Sequence, residues 1–151
     1  MKIVYEYSHL GGSEILQVRY PAIQKEINQV IAGVAAKRSK VSQEKTKKGR
    51  MLYSPTDMNT QFTMAFQTLG YHELRDAYTI TIPNSDIAIP GAFKQIDFVK
   101  GKILVEVQFG KYFAMFYDMA KFQYFFNENR ADVGVEIVPC HNLHAEMSTG
   151  V

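Results

Sequence analysis

The run Ile96-Asp97-Phe98-Val99-Lys100-Gly101-Lys102-Ile103-Leu104-Val105-Glu106-Val107-Gln108-Phe109 decides how this chain is read. Two apolar-rich stretches flank Gly101-Lys102, and glycine first in a two-residue loop suits a type II′ hairpin turn. With that turn Lys100 pairs with Ile103, and Asp97 comes to lie opposite Glu106. The two-residue period of strands sorts the side chains into two faces. Ile96, Phe98, Ile103, Val105 and Val107 form a face that must be buried. Gln95, Asp97, Val99, Leu104, Glu106 and Gln108 form the other. Directly opposed residues have Cβ atoms about 4.5–5.5 Å apart, so two carboxylates there repel unless something neutralises them. A basic side chain, a shared proton or a metal ion would do so. Mg²⁺, a hard cation, takes one or two carboxylates and keeps waters for a phosphate substrate, which fits this pair. Acidic residues on the wet face of a hairpin are also common without any ligand. A one-residue slip in register would separate the pair.

Outward from the hairpin, Lys2–Tyr7 alternates and reads as a short strand. Pro21 opens a helix whose apolar stripe is Ile23, Ile27, Val30, Ile31 and Val34. Ser54-Pro55-Thr56-Asp57 is a helix start, with Ser54 as the cap; Met58, Phe62, Ala65, Phe66 and Leu69 form its stripe, and Gly70 ends it. Tyr78–Ile82 alternates as a strand, and Pro83, Asn84, Ser85, Pro90 and Gly91 mark a loop. Phe113–Asn127 reads as an aromatic-rich helix, whose stripe is core or subunit interface. Val133, Val135 and Ile137 form one side of a last strand, and a further helix starts near Asn142. The expectation is one α/β (α+β) domain over residues 1–151, a small mixed sheet flanked by helices.

Apolar residues make up 46% of the 151 and charged residues 21%, which is a core-forming composition. The net charge of +2 implies no nucleic-acid partner by itself. Its distribution does more: 7 of the 17 basic residues fall within residues 37–50, as Lys37, Arg38, Lys40, Lys45, Lys47, Lys48 and Arg50. That stretch reads as a solvated basic loop, as a phosphate-contacting segment, or as both. The single cysteine, Cys140, excludes an internal disulfide and a cysteine-only zinc cluster. His141 and His144 stand too close to it in sequence for the three to surround zinc readily, and His9 and His72 read as ordinary surface or half-buried residues. Charges interrupt Met1–Glu6, so it lacks a signal-peptide apolar region, and no window approaches a transmembrane span. A cytoplasmic protein is expected, with no membrane partner.

Asp97-x8-Glu106-x-Gln108, followed by Phe109-Gly110-Lys111-Tyr112, resembles the BglII/BstYI-type restriction endonucleases of the PD-(D/E)XK nuclease superfamily. The resemblance extends over Ile3-Val4, Tyr7–Leu10, Glu44–Lys47, Leu52–Pro55, Asp97–Lys100, Glu106–Tyr112, Asp132–Ile137 and Glu146–Ser148, nearly end to end. It implies a restriction-endonuclease-like core and Mg²⁺-dependent hydrolysis of double-stranded DNA by a type II enzyme, at a palindromic site with a GATC centre. Asp97 and Glu106 would be the acidic metal ligands, with the Val107 backbone carbonyl facing the metal. Gln108 would stand where most of the superfamily has lysine; it cannot accept a proton as an amine can but can orient water, so water on the metal would be the nucleophile. The Ile96-Asp97 pair lacks the superfamily's proline. Lys111 would contact a base or phosphate, Lys45, Lys47 and Lys48 the backbone, and Ser148 and Thr149 would begin a recognition segment; Lys111 also reads as a solvated lysine and Ser148 as a plain cap or tail residue. A homodimer matches a two-fold site, and a DNA methyltransferase would be the genetic partner. Members of this subgroup continue past the position of Val151, so an incomplete C-terminus is expected. Two other readings stay open: a nuclease of repair or recombination with the same core, and an inactive DNA-binding remnant.

Overall fold

Ile103–Val107 is buried at all five positions, so both its faces are covered. Everything else is arranged around that strand. In the computed structural model, which describes residues 1–43, 45–110 and 112–148, the elements in chain order begin with helices α1 (Gly12–Arg19) and α2 (Pro21–Gly33). The strands β1 (Arg38–Val41) and β2 (Met51–Tyr53) follow, then α3 (Pro55–Thr68) and the strands β3 (His72–Thr81), β4 (Ala88–Lys100) and β5 (Ile103–Val107). A short 3-10 turn, Tyr112–Ala114, leads into α4 (Met115–Asn127), and β6 (Val133–Ile137) and α5 (His141–Ala145) complete the chain. The main sheet has the order β3-β4-β5-β6, with β5 and β6 parallel and the other pairs antiparallel. The α4 crossover makes that parallel pair possible, because parallel strands need a long connection.

The protein has the α+β architecture of a mixed sheet between helices, as the sequence implies. On one face Phe98, Ile103, Val105 and Val107 pack with Leu16, Ile27, Val30, Met58, Phe62 and Phe66 from α1, α2 and α3. On the other face Ile96, Val99 and Leu104 pack with Phe125 and Ala131. Burial on both sides explains why β5 is nearly continuous in apolar residues. The hairpin turn is as expected: Gly101 has φ +60°, and Lys100 pairs with Ile103. The α3 start is also as expected, with Ser54 Oγ accepting from Asp57 N at 3.2 Å.

Several expectations are corrected. Residues 1–8 form no strand; Val4, Tyr5 and Tyr7 are exposed, and the Met1 amino group is held by the carbonyls of Ala32 and Val34. Alternation without a partner strand to complete the hydrogen-bond ladder does not make a strand. Helix α1 went unread, because its buried content is a single residue, Leu16. The basic stretch is not only a loop, since Arg38–Val41 pairs with Met51–Tyr53. Pro90 and Gly91 lie within β4, where the register against β3 slips by one residue and Gly91 takes φ +84°. Proline is tolerated in a strand at such a bulge.

Glycine at position 134 admits α4 to the sheet. A Cβ on Gly134 would come within 2.3 Å of the Phe122 ring, far closer than van der Waals contact. Gly134→Ala is therefore expected to force the helix outward and destabilise the fold by roughly 1–3 kcal/mol. Thermal unfolding followed by circular dichroism measures this, and an unchanged midpoint would show that the ring has room to turn away.

Candidate active site

Asp97 stands at a second irregularity of β4. His72 pairs with Val99 but Leu74 with Ile96, so β4 carries one extra residue there and Asp97 and Phe98 together oppose Glu73. The bulge corrects the expected face assignment: Ile96 packs with Val99 and Leu104, not with Phe98. It also re-aims Asp97, as bulges beside functional sites commonly do. Asp97, Phe98 and Val107 line a cleft of about 190 Å³ bounded by Asn59, Phe62 and Thr63 of α3 and by His72 and Glu73 of β3.

The register between β4 and β5 runs Lys100↔Ile103, Val99↔Leu104, Phe98↔Val105. The paired register ends there, and beyond it the Asp97 and Glu106 carboxyls are within hydrogen-bonding reach. Glu106 is 3% exposed. The polar face of the hairpin is not wet, because α4 lies over it. The inward stripe of that helix is Asp118, Lys121 and Phe125, a spacing of three and seven that puts them on one side. Lys121 Nζ donates to Glu106 Oε1, to Asp118 Oδ1 at 2.8 Å and to the Gln95 carbonyl at 2.9 Å. Gln108 Nε2 donates to Asp118 Oδ2 at 3.1 Å. Glu136, the neighbour of Glu106 across the β5–β6 ladder, brings its carboxyl against that of Asp118.

Four carboxyls thus gather round one ammonium, which cannot balance them all. Burial pushes Glu106 up to about 8, the charge of Asp97 adds to this, and the ion pair with Lys121 opposes it. Burial likewise pushes Glu136 up to about 8, with Asp118 adding to the effect. Burial works against the Lys121 ammonium, but its hydrogen bonds to Asp118 and Glu106 outweigh that and hold its pKa above the ordinary value. Both Glu136 oxygens are buried and have no donor, while the adjacent Asp118 carboxyl can bond to them only if a proton lies between the two. A retained proton on Glu136 reconciles the two facts.

The structure therefore brings Asp97, Glu106 and Gln108 into one neighbourhood, with Val107 at the cleft wall. Lys121, Asp118 and Glu136 belong to the same cluster and were missed. The readable signal was the charged pair Asp118 and Lys121 inside an otherwise apolar helical stripe, where charges are seldom buried unless paired. Hard oxygen donors in mutual repulsion, one of them lining the cleft, fit a divalent cation held by Asp97 and Glu106. Among the described residues no group of three or more His, Cys, Asp or Glu side chains is arranged to hold a metal by itself, so waters or substrate oxygens would complete the shell. That is the coordination habit of Mg²⁺.

Elsewhere, Lys45 and Lys48 are exposed on the β1–β2 hairpin, and Lys47 Nζ donates to the Ala145 carbonyl at 2.9 Å. Arg38 pairs with Glu146, and Ser148 N donates to the Tyr53 carbonyl at 2.9 Å. Ser148 and the basic hairpin, separate in sequence, are therefore neighbours. Lys111 and Thr149 lie outside the described residues. Among the described residues no helix is long and apolar enough to cross a membrane.

A family model described as restriction endonuclease BglII/BglIII matches residues 4–151. No curated protein matches the chain.

Proposed function

Because the chain belongs to the BglII/BglIII restriction endonuclease family, we propose that it is a Mg²⁺-dependent type II enzyme whose active site is Asp97, Glu106 and Gln108. The substrate is double-stranded DNA, cut at a palindromic site with a GATC centre. The contact between the carboxyl of Asp97, which lines the cleft, and the buried carboxyl of Glu106 carries this reading, because two mutually repelling carboxylates are stabilised by a divalent cation. The chain acts as a single endonuclease domain and as a homodimer, with a cognate DNA methyltransferase protecting host sites, and it works in the cytoplasm.

Asp97 and Glu106 hold the cation, and the Val107 backbone carbonyl offers a further hard donor. Bound Mg²⁺ supplies Lewis-acid polarisation of the scissile phosphate and lets hydroxide form at neutral pH. Gln108, which donates its amide nitrogen to Asp118, orients the attacking water. The water oxygen bonds to phosphorus in line with the P–O3′ bond. That bond breaks, leaving a 5′-phosphate and a 3′ oxygen that takes a proton. The exposed Lys45 and Lys48, with Lys47 and Lys111, neutralise backbone phosphates. Ser148 and Thr149 begin the recognition segment.

The test is digestion of plasmid DNA by the purified chain, with Mg²⁺ or with chelator, followed by sequencing of the ends. Discrete Mg²⁺-dependent fragments with GATC-centred ends are expected. Sequence-blind smearing would overturn the specificity, and binding without any cleavage would overturn the activity.

A further inference from the structure

Lys121 is the one buried lysine among the described residues, and all three of its N–H donors are engaged: by Glu106 Oε1, Asp118 Oδ1 and the Gln95 carbonyl. None is left over for a substrate, so what Lys121 controls is the carboxylate it grips. We propose that Lys121 is a positioning residue that occupies Glu106 Oε1 as a resident counter-cation, in direct competition with the divalent ion, so that the ion binds weakly while Lys121 holds that carboxylate.

Three features support this. First, the ammonium approaches from α4, the layer opposite the cleft, while Asp97 faces the cleft. Glu106 is therefore held between Lys121 and Asp97, the carboxyl that lines the cleft. Second, the fixed cation is rigidly placed. Asp118 is 2% exposed and lies one helical turn from Lys121 on the same face. The Gln95 carbonyl belongs to β4, so Lys121 ties the helix to the bulged strand that carries Asp97. Third, an ammonium and a divalent cation at one carboxylate repel strongly in a partly dry site. If the ion takes Glu106, the Lys121 N–H released from Oε1 needs another acceptor. Ion binding therefore costs Lys121 a buried hydrogen bond.

The inference rests on the divalent-cation reading of Asp97 and Glu106, and the experiment separates the two. Mg²⁺ binding to the whole chain, without DNA, is measured by calorimetry for the wild type, Asp97→Asn and Lys121→Met. The expected result is weak binding in the wild type, its loss in Asp97→Asn, and binding at least about tenfold tighter in Lys121→Met. Equal or weaker binding in a folded Lys121→Met overturns the proposal while leaving the cation site in place. A purely structural lysine would give that outcome, with lowered stability only. Absence of Mg²⁺ binding in every form overturns the cation site and this inference with it. Should Lys121→Met fail to fold, the ¹⁵N spectrum of the lysine ammonium groups in the unaltered chain decides. Saturating Mg²⁺ moves the slowly exchanging buried ammonium signal if Glu106 is given up; an unmoved signal overturns the proposal.

Discussion

Asp97→Asn is expected to lower the rate of DNA cleavage by on the order of 10³-fold or more while leaving the fold intact. The substitution keeps the shape of the side chain and removes one of the two charges that would hold the cation. Lewis-acid stabilisation of a reacting phosphate is worth several kcal/mol, and each 1.4 kcal/mol is about a factor of ten in rate. Stability should move in the opposite direction. The charge of Asp97 is one cause of the elevated Glu106 pKa, so neutralising it relieves repulsion in the metal-free chain. The unfolding midpoint is therefore expected to stay or to rise. Loss of cleavage at constant or higher stability separates a chemical role from damage to the fold. Activity within about tenfold of wild type would remove Asp97 from the site.

Metal-free stability is expected to fall as pH rises from about 4.5 to about 8, and Mg²⁺ is expected to reverse that fall. The ordinary pKa of Glu106 and of Glu136 is 4.5, and in the folded chain both stand at about 8. Below 4.5 both groups are protonated whether or not the chain is folded, and neither opposes folding. Between the two values the unfolded chain releases protons that the folded chain keeps, so folding weakens with pH. The loss is on the order of a few kcal/mol for each carboxyl and is complete above about pH 8. Cation binding needs ionised Glu106, so it expels a proton below that pH. The Mg²⁺ affinity should then strengthen about tenfold for each pH unit between 6 and 8 and level off above. Calorimetry in two buffers of different ionisation enthalpy reads both the affinity and the proton count. A flat affinity over that range would mean that Glu106 is already ionised in the folded chain.

Periodicity and turn chemistry were enough for much of this molecule. Gly101-Lys102 specified the hairpin, Ser54-Pro55 the start of α3, and the stripe from Ile23 to Val34 the inward face of α2. The Asp97–Glu106 juxtaposition followed from the two-residue turn, because strand register is counted from the turn outward. These are local features, encoded by a few neighbouring residues and therefore legible in order along the chain. The failures were non-local. Residues 2–7 alternate like a strand, yet among the described residues no strand pairs with them. The extra residue in β4 that aims Asp97 at the cleft exists only relative to β3. Above all, the sequence offered three ways to neutralise the paired carboxylates, and only the tertiary structure could supply the ammonium. Lys121 is 15 residues beyond Glu106, on a helix whose distance from the sheet is set by the absent side chain of Gly134 under Phe122. The sequence by itself determined which groups repel; the packing of α4 on the sheet decided what stands between them, because a charge partner is chosen by proximity in space, which no spacing along the chain records.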